Sequence, residues 1–355
     1  RGRGGAGRLR PAGRPRPDAS RSRDRRGATI MNILLTSRCN RRCPYCFAAA
    51  RISYPQSGAA TDPAPEYIRE ADFGVAIDFL VRGRQRVVGL LGGEPSLHPA
   101  FPELAARAWS AGLDTKIFTN GLWPEGTIDA FLRAAEAQKQ RPRLVLNLNQ
   151  RAITPDPQHA AQEAFLERIG KYCALSFNIY EPDFDPLFLV DVVRRFRTRR
   201  DIRLGIAEPL AESGNAHIDV ADYPKLAGTL MRLAAACDEH GIRLGFDCGF
   251  TLCMFTPEQI GRLVLAGARF RSSCGPVIDV GTDLSVWACF PLSTLSAGVR
   301  LTDFDDLRAL VRHFQKHFGP LYRTGVLEEC IDCRHRLRGR CTGGCAAHVF
   351  RRFQP

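Results

Sequence analysis

Cys39, Cys43 and Cys46 follow a short apolar run in the segment MNILLTSRCNRRCPYCF, residues 31–47, with the spacing C-x3-C-x2-C. That spacing brings three thiolates off the end of a strand within one tight loop. Three thiolates hold three irons of a [4Fe-4S] cluster, whose full ligation takes four, so one iron stays open to a ligand that is not protein. Zinc is the competing metal. Structural zinc takes four protein ligands, and neither a His nor a fourth Cys lies near this loop to close a tetrahedron. A disulfide fits less well, because an odd number of closely packed cysteines without a secretory signal points to a reducing compartment and to metal.

Two other stretches carry polar groups where a ligand would need them. In LLGGEPSLHP, residues 90–99, Gly92 and Gly93 let a strand end approach a ligand closely, and Glu94, followed by Pro95, offers a carboxylate to an ammonium group. The bland reading of GGEP is a strand-to-helix turn. Further on, Asn120 in TNG, Asn147 and Asn149 in LNLNQ, Ser176 and Asn178 in LSFNI, and Glu208 after GIA all stand at expected strand ends. Eight of the 13 cysteines fall at Cys248, Cys253, Cys274, Cys289, Cys330, Cys333, Cys341 and Cys345. Six or more thiolates at such spacings favour iron-sulfur clusters over scattered structural thiols, with a zinc knuckle on Cys330, Cys333, Cys341 and Cys345 as the alternative. Cys173 and Cys237 have no cysteine neighbour and read as small buried apolar residues.

The elements that must position these groups alternate. Strands are expected at 32–36, 87–91, 115–119, 144–148, 174–179 and 202–206, with a possible seventh at 242–246. Helices are expected at 67–81, 101–111, 128–137, 160–169, 188–196 and 223–240. Such alternation requires parallel strands with right-handed crossovers, hence an α/β sheet covered by helices. Open sheet and barrel are both compatible with the pattern, and in either the ligands collect at the carboxyl ends of the strands. After about residue 247 the alternation breaks down, and the thiol-rich remainder reads as held partly by metal.

Taken together, RCNRRCPYC at 38–46, GGEP at 92–95 and TNG at 119–121 make the chain similar to the radical S-adenosylmethionine (SAM) enzymes. The resemblance implies a partial (β/α)6 TIM-type barrel over 31–247. Cys39, Cys43 and Cys46 would hold a [4Fe-4S] cluster whose open iron is chelated by SAM. The backbone around Gly92, Gly93, Glu94 and Pro95 would hold the methionine end of SAM and Tyr45 would lie along its adenine, with Asn120, Ser176 and Asn178 as further contacts. Reduction of the cluster cleaves SAM to methionine and a 5′-deoxyadenosyl radical that abstracts hydrogen from a substrate. The cysteines of 248–355 look like the SPASM region of such enzymes, a small domain binding one or two auxiliary [4Fe-4S] clusters. Two departures stand out: the gap between Cys333 and Cys341 is long, and no cysteine follows Cys345. Cys248 or Cys253 could supply the missing ligand: if both serve, eight thiolates make two fully ligated clusters, and if not, one cluster is open or absent.

SPASM-bearing relatives mostly modify peptides or proteins, which makes a peptide side chain the favoured substrate and a small molecule to be dehydrogenated the second reading. Sulfatase-maturing relatives carry an acidic base directly after an auxiliary-cluster cysteine. Here Phe290 follows Cys289, leaving Asp247, Asp279 and Asp283 as substitutes. A flavodoxin- or ferredoxin-type protein is the expected one-electron donor. A third reading, from a different class, is a non-catalytic iron-sulfur or zinc protein in electron transfer or RNA binding.

Composition limits these choices. At 355 residues and 45% hydrophobic content the chain supports a large core. The net charge of +13 suggests nucleic acid, but residues 1–30 hold ten Arg against two Asp, so most of the excess sits in an Arg/Gly/Pro-rich tail expected to be disordered. The first Met is Met31, so the tail reads most simply as sequence ahead of the native start. Nucleic acid is accordingly not favoured as a partner. No apolar run reaches the roughly 18 residues of a membrane span, and the expected location is the cytoplasm.

Overall fold

The computed structural model describes residues 31–53, 64–211, 214–275 and 277–353; the basic tail expected at 1–30 lies outside them. Among the described residues, β1 (Met31–Thr36), β2 (Val87–Gly92), β3 (Asp114–Thr119), β4 (Leu144–Leu148), β5 (Cys173–Ile179), β6 (Asp201–Ile206) and β7 (Arg243–Phe246) lie side by side in chain order. Each is parallel to the next. The helices between them are α1 (Glu70–Arg82), α2 (Phe101–Ser110), α3 (Thr127–Ala137), α4 (Asp156–Ile169), α5 (Phe188–Arg195) and α6 (Tyr223–Glu239).

Beyond residue 247 the chain stays in the same sheet. After α7 (Pro257–Leu265), β8 (Arg269–Phe270) adds parallel to β7. β9 (Ile278–Val280) then crosses to the opposite edge and pairs parallel with β1, and β10 (Val286–Trp287) pairs antiparallel with β9. The ten-stranded sheet therefore ends at β10 on one side and β8 on the other, an α/β partial barrel of TIM type. The helices α8 (Leu307–Thr324), α9 (Arg334–Leu337) and α10 (Ala346–Phe353) complete the chain. Leu263, Ile278, Val280, Leu310 and Phe314 share one core with the barrel residues Ile33, Leu90 and Phe177, so the cysteine-rich segment is continuous with the barrel in both sheet and core.

Strand alternation separates two faces. Ile117, Leu146, Phe177 and Leu204 lie in the core under the helices, whereas Lys116, Asn147, Asn178 and Arg203, one residue away in each strand, are only half-buried on the other face. Helix starts depart from the sequence expectation for local reasons. Residues 67–69 are held against β1, through the Thr36–Tyr67 bridge and the bond from Ile68 N to Leu35 O (2.9 Å), so α1 begins at Glu70. α4 begins early, at Asp156, because Pro157 and an acidic first turn suit a helix N-terminus. Cys173 and Cys237 are core residues, as expected of lone thiols.

Candidate functional site

The cysteine loop leaves β1 and is pinned along both sides. Cys39 N donates to Ser53 O (3.1 Å) and Ser53 N to Ser37 O (2.8 Å), while Cys46 N donates to Cys43 O (3.1 Å), turning the chain between the last two thiols. All three cysteines are free. Burial first, and then the nearby Glu94, Cys43 and Cys46, push the Cys39 thiol far above its ordinary range. Thiols so buried become thiolates only when a cation offsets the charge, which suits metal ligands.

The two glycines of GGEP make this loop possible. Gly93 N donates to Thr36 O (2.9 Å) and Glu94 N to Arg38 O (2.8 Å). A Cβ on Gly93 would lie 2.2 Å from Arg38 O and 2.7 Å from Cys39 Cβ, and one on Gly92 would lie 2.4 Å from Thr36 O. The glycines therefore admit the cysteine loop itself against the end of β2.

Glu94 is fully buried and its carboxylate is spent within the protein. Its Oε1 accepts from Ser96 N (3.2 Å), Ser96 Oγ (2.8 Å) and Thr119 Oγ1 (2.9 Å), and its Oε2 from Asn120 N (2.7 Å). Burial raises the Glu94 pKa to about 6 against these four bonds. The side chain thus clasps the end of β2 to the end of β3. Asn120, held by the clasp, donates through Nδ2 to Asn40 Oδ1 (2.9 Å) and lies 3.9 Å from Cys39 Sγ.

Tyr45 ties the loop to β4 and β5. Its hydroxyl donates to Asn149 Oδ1 and accepts from Asn147 Nδ2 (2.8 Å), whose Oδ1 accepts from Asn178 Nδ2 (3.0 Å). Asn149 Nδ2 in turn lies 3.5 Å from Cys43 Sγ. The Tyr45 ring stacks on Tyr180 with centroids 4.9 Å apart. Arg41, only 4% exposed in the middle of the loop, donates through Nε to Gln158 (3.2 Å), and both its terminal nitrogens lack a hydrogen-bond partner. A buried guanidinium whose two terminal nitrogens lack partners leaves donors that an acceptor would satisfy.

Residues 33–173 match the model of the Radical SAM superfamily. The chain carries a radical SAM domain. A stretch of 115 residues is 34% identical to GTP 3′,8-cyclase of Chlorobaculum tepidum, spanning 31% of this chain and 32% of that protein. Another is 32% identical over 101 residues to Fe-coproporphyrin III synthase of Methanosarcina barkeri, spanning 28% and 22%. The chain thus covers about a third or less of these relatives' own length. Among solved structures, Streptococcus suis SuiB bound to S-adenosylmethionine is similar with TM-score 0.61 and 15% identity, over 91% of this chain and 74% of that one. Native anSMEcpe with bound AdoMet is similar with TM-score 0.57 and 17% identity, over 89% and 88%. These likenesses extend the fold well past the radical SAM domain into the cysteine-rich segment.

The other sequence candidates are dispersed around the radical SAM domain. Ser176 accepts from Arg203 Nη1 (3.1 Å) rather than joining the asparagine chain. Burial raises the Asp247 pKa, but Arg203 and Arg271 outweigh it and hold the carboxyl below its ordinary value. Asp283 caps a turn by accepting from Ser285 N (2.9 Å). Asp279 is buried in β9 and accepts from Asn32 Nδ2 (2.7 Å). Glu208 is buried beside the thiols of Cys274, Cys289 and Cys345, and His348 Nε2 lies 3.2 Å from its Oε2. Arg41, Tyr180 and His348 were not legible as site residues. The inward charges Lys116 and Arg203 had a signal, since each alternates with apolar neighbours in its strand.

Asp279 yields a pH prediction. Burial raises its pKa to about 7, and Asn32 Oδ1 has no partner, so a protonated Asp279 can return a bond to it. The folded state then binds more protons than the unfolded between roughly pH 4 and 7, and stability falls as pH rises through that window. Asp279→Asn keeps a reciprocal amide pair without the titration. We expect its thermal midpoint to exceed wild type at pH 8, by on the order of 4 kcal/mol of stability, with the advantage growing between about pH 4 and 7 and flat above. An advantage independent of pH would contradict this assignment.

Proposed function

We propose that this protein is a radical SAM enzyme that modifies a peptide or protein side chain, with auxiliary iron-sulfur clusters in the segment 248–355. The observation that carries this reading is the Glu94 clasp, which fixes the ends of β2 and β3 against the three-cysteine loop. A simple cluster carrier has no need of that arrangement. In this reading Cys39, Cys43 and Cys46 hold the first cluster, and Arg41 meets negative charge there with its two unmet donors. The backbone at Gly92–Glu94, with Asn120 and the Tyr45 neighbourhood, forms the SAM site, and residues 31–247 form the barrel. Cluster and SAM, when bound, supply a one-electron cleavage that generates a 5′-deoxyadenosyl radical. The protein's own part is to hold the loop rigid through Asn120 and Asn149 and to screen the thiols from water.

A peptide substrate is supported by fold alone: SuiB has been solved bound to precursor peptide SuiA, and anSMEcpe with a Cp18Cys peptide. The small-molecule reading is favoured by the higher identity to a protein named for GTP. Among the described residues no group of three or more His, Cys, Asp or Glu closes on a single metal ion.

The test is anaerobic reconstitution, reduction and addition of SAM. The wild-type protein should release 5′-deoxyadenosine, with Cys39→Ala reduced to background. Equal yields from the two would sink the proposal. Candidate peptides and small molecules added to the same assay then separate the two substrate readings by the mass change each undergoes.

A further inference from the structure

We propose that Cys253 is the fourth ligand of a second auxiliary cluster, so that the eight C-terminal thiols divide into Cys248, Cys274, Cys289, Cys345 and Cys253, Cys330, Cys333, Cys341. This rests on the auxiliary-cluster reading above and assigns its ligands one by one.

The division follows from how three turns meet. The first is the short turn Leu252–Met254 after β7, where Cys253 Sγ lies 3.3 Å from Thr251 Oγ1. The second runs from Gly325 to Cys330, and the third is the CTGGC stretch, 341–345. Val326 N donates to Gly343 O (2.8 Å), and a Cβ on Gly343 would lie 3.1 Å from Cys330 Sγ. A Cβ on Gly344 would lie 3.3 Å from Thr251 Cγ2 and 2.9 Å from Val326. The three turns therefore pack on one another through the two glycines. Cys333 is kept with this group by its N–H, 3.5 Å from Cys330 O.

Cys274 belongs to the other side of the same stretch. Its N–H donates to Thr342 Oγ1 (2.6 Å), and Thr342 N donates to Ser272 O (3.0 Å). Gly343 and Gly344 both have positive φ, +86° and +96°, a backbone path that glycine adopts readily and other residues do not. Through them the chain turns between Cys341 and Cys345. Electrostatic neighbours agree with this geometry: Cys253 is influenced by Cys330 and Cys341, Cys289 by Cys274 and Cys248, and Cys345 by Cys274 and Cys289. The knuckle of Cys330, Cys333, Cys341 and Cys345 would need a thiol from each side.

The experiment starts from a Cys39→Ala, Cys43→Ala, Cys46→Ala background, anaerobically reconstituted, in which iron comes only from the auxiliary sites. Two four-iron clusters give about 8 Fe per chain. In that background Cys253→Ala should leave one cluster with three thiols, seen as a three-iron electron paramagnetic resonance signal after oxidation. Cys253→Ser, which keeps an oxygen in place, should weaken that signal. Cys253→Ala with Cys341→Ala strikes one cluster twice and should leave about 4 Fe. Cys253→Ala with Cys345→Ala strikes two clusters once each and should retain more iron, with both oxidised signals. The reverse order, or a Cys253→Ala protein indistinguishable from its background, overturns the assignment. A background protein that binds zinc and no iron overturns the auxiliary-cluster reading itself.

Discussion

Replacing Gly93 with alanine should abolish SAM cleavage and cost about four irons per chain, while the auxiliary irons remain. The added methyl would sit 2.2 Å from Arg38 O, 2.5 Å from the Arg38 carbonyl carbon and 2.7 Å from Cys39 Cβ. The first two are backbone atoms, so no side chain can swing aside to relieve the clash. The loop must instead back away, breaking the bonds to Thr36 O and Arg38 O. Overpacking of this kind costs about 1–3 kcal/mol, which a core of this size can absorb. The displacement falls on Cys39, whose sulfur in the proposed cluster would have to reach iron at a fixed distance, so metal loss should exceed stability loss. Gly228→Ala is the control. It lies inside α6 with nothing within 4 Å of its Cβ and should be neutral or stabilising by about 1 kcal/mol. A Gly93→Ala protein with full iron and full SAM cleavage would remove the glycine from its assigned role.

The alternation of apolar runs and helical periods in the sequence was enough to place the strands and helices of the barrel, because the strands of a parallel sheet are short, largely buried apolar runs and the helices bury one face at a period near 3.6. What it could not place was β8 to β10. They are two or three residues long, too short to carry a period, and they join the sheet by pairing β8 with β7, β9 with β1 and β10 with β9. Pairing between residues as distant as Asn32 and Asp279 is a tertiary fact with no local trace. The cysteine-rich segment therefore reads as irregular in sequence although it shares the sheet and core of the barrel.

The site divides the same way. The cysteines, GGEP and TNG are contiguous in sequence and were legible, since spacing alone puts them in one loop or at one strand end. The direction in which a side chain points was not. Glu94 reads as a ligand acceptor from its motif, and only the neighbouring Thr119 and Asn120 reveal that its carboxylate joins two strands. Glu208 reads as a strand-end polar group, and only the structure shows it buried near Cys274 and Cys345.

Glu94→Gln should lower SAM cleavage by about tenfold to a hundredfold with little change in stability. The carboxylate accepts four bonds and donates none, so an amide in its place sets an N–H either against Asn120 N–H or against the Ser96 and Thr119 donors. One unmet buried donor costs about 1–3 kcal/mol. Against this, wild-type Glu94 has its pKa raised from 4.5 to about 6 by burial, so ionising it in the folded protein costs about 2 kcal/mol at neutral pH. That cost is incurred as pH rises from about 4.5 to 6, and glutamine does not incur it. The two terms nearly cancel above pH 6, and the variant should lose relative stability only below that range. Activity has no such compensation, because Asn120 moves with the clasp and carries its contacts to Asn40 and Cys39 with it. Glu94→Ala leaves every donor unmet and adds a cavity, so it should lose both stability and iron. A Glu94→Gln enzyme of unchanged activity, or one destabilised as much as Glu94→Ala, would show that the clasp does not position the cluster loop.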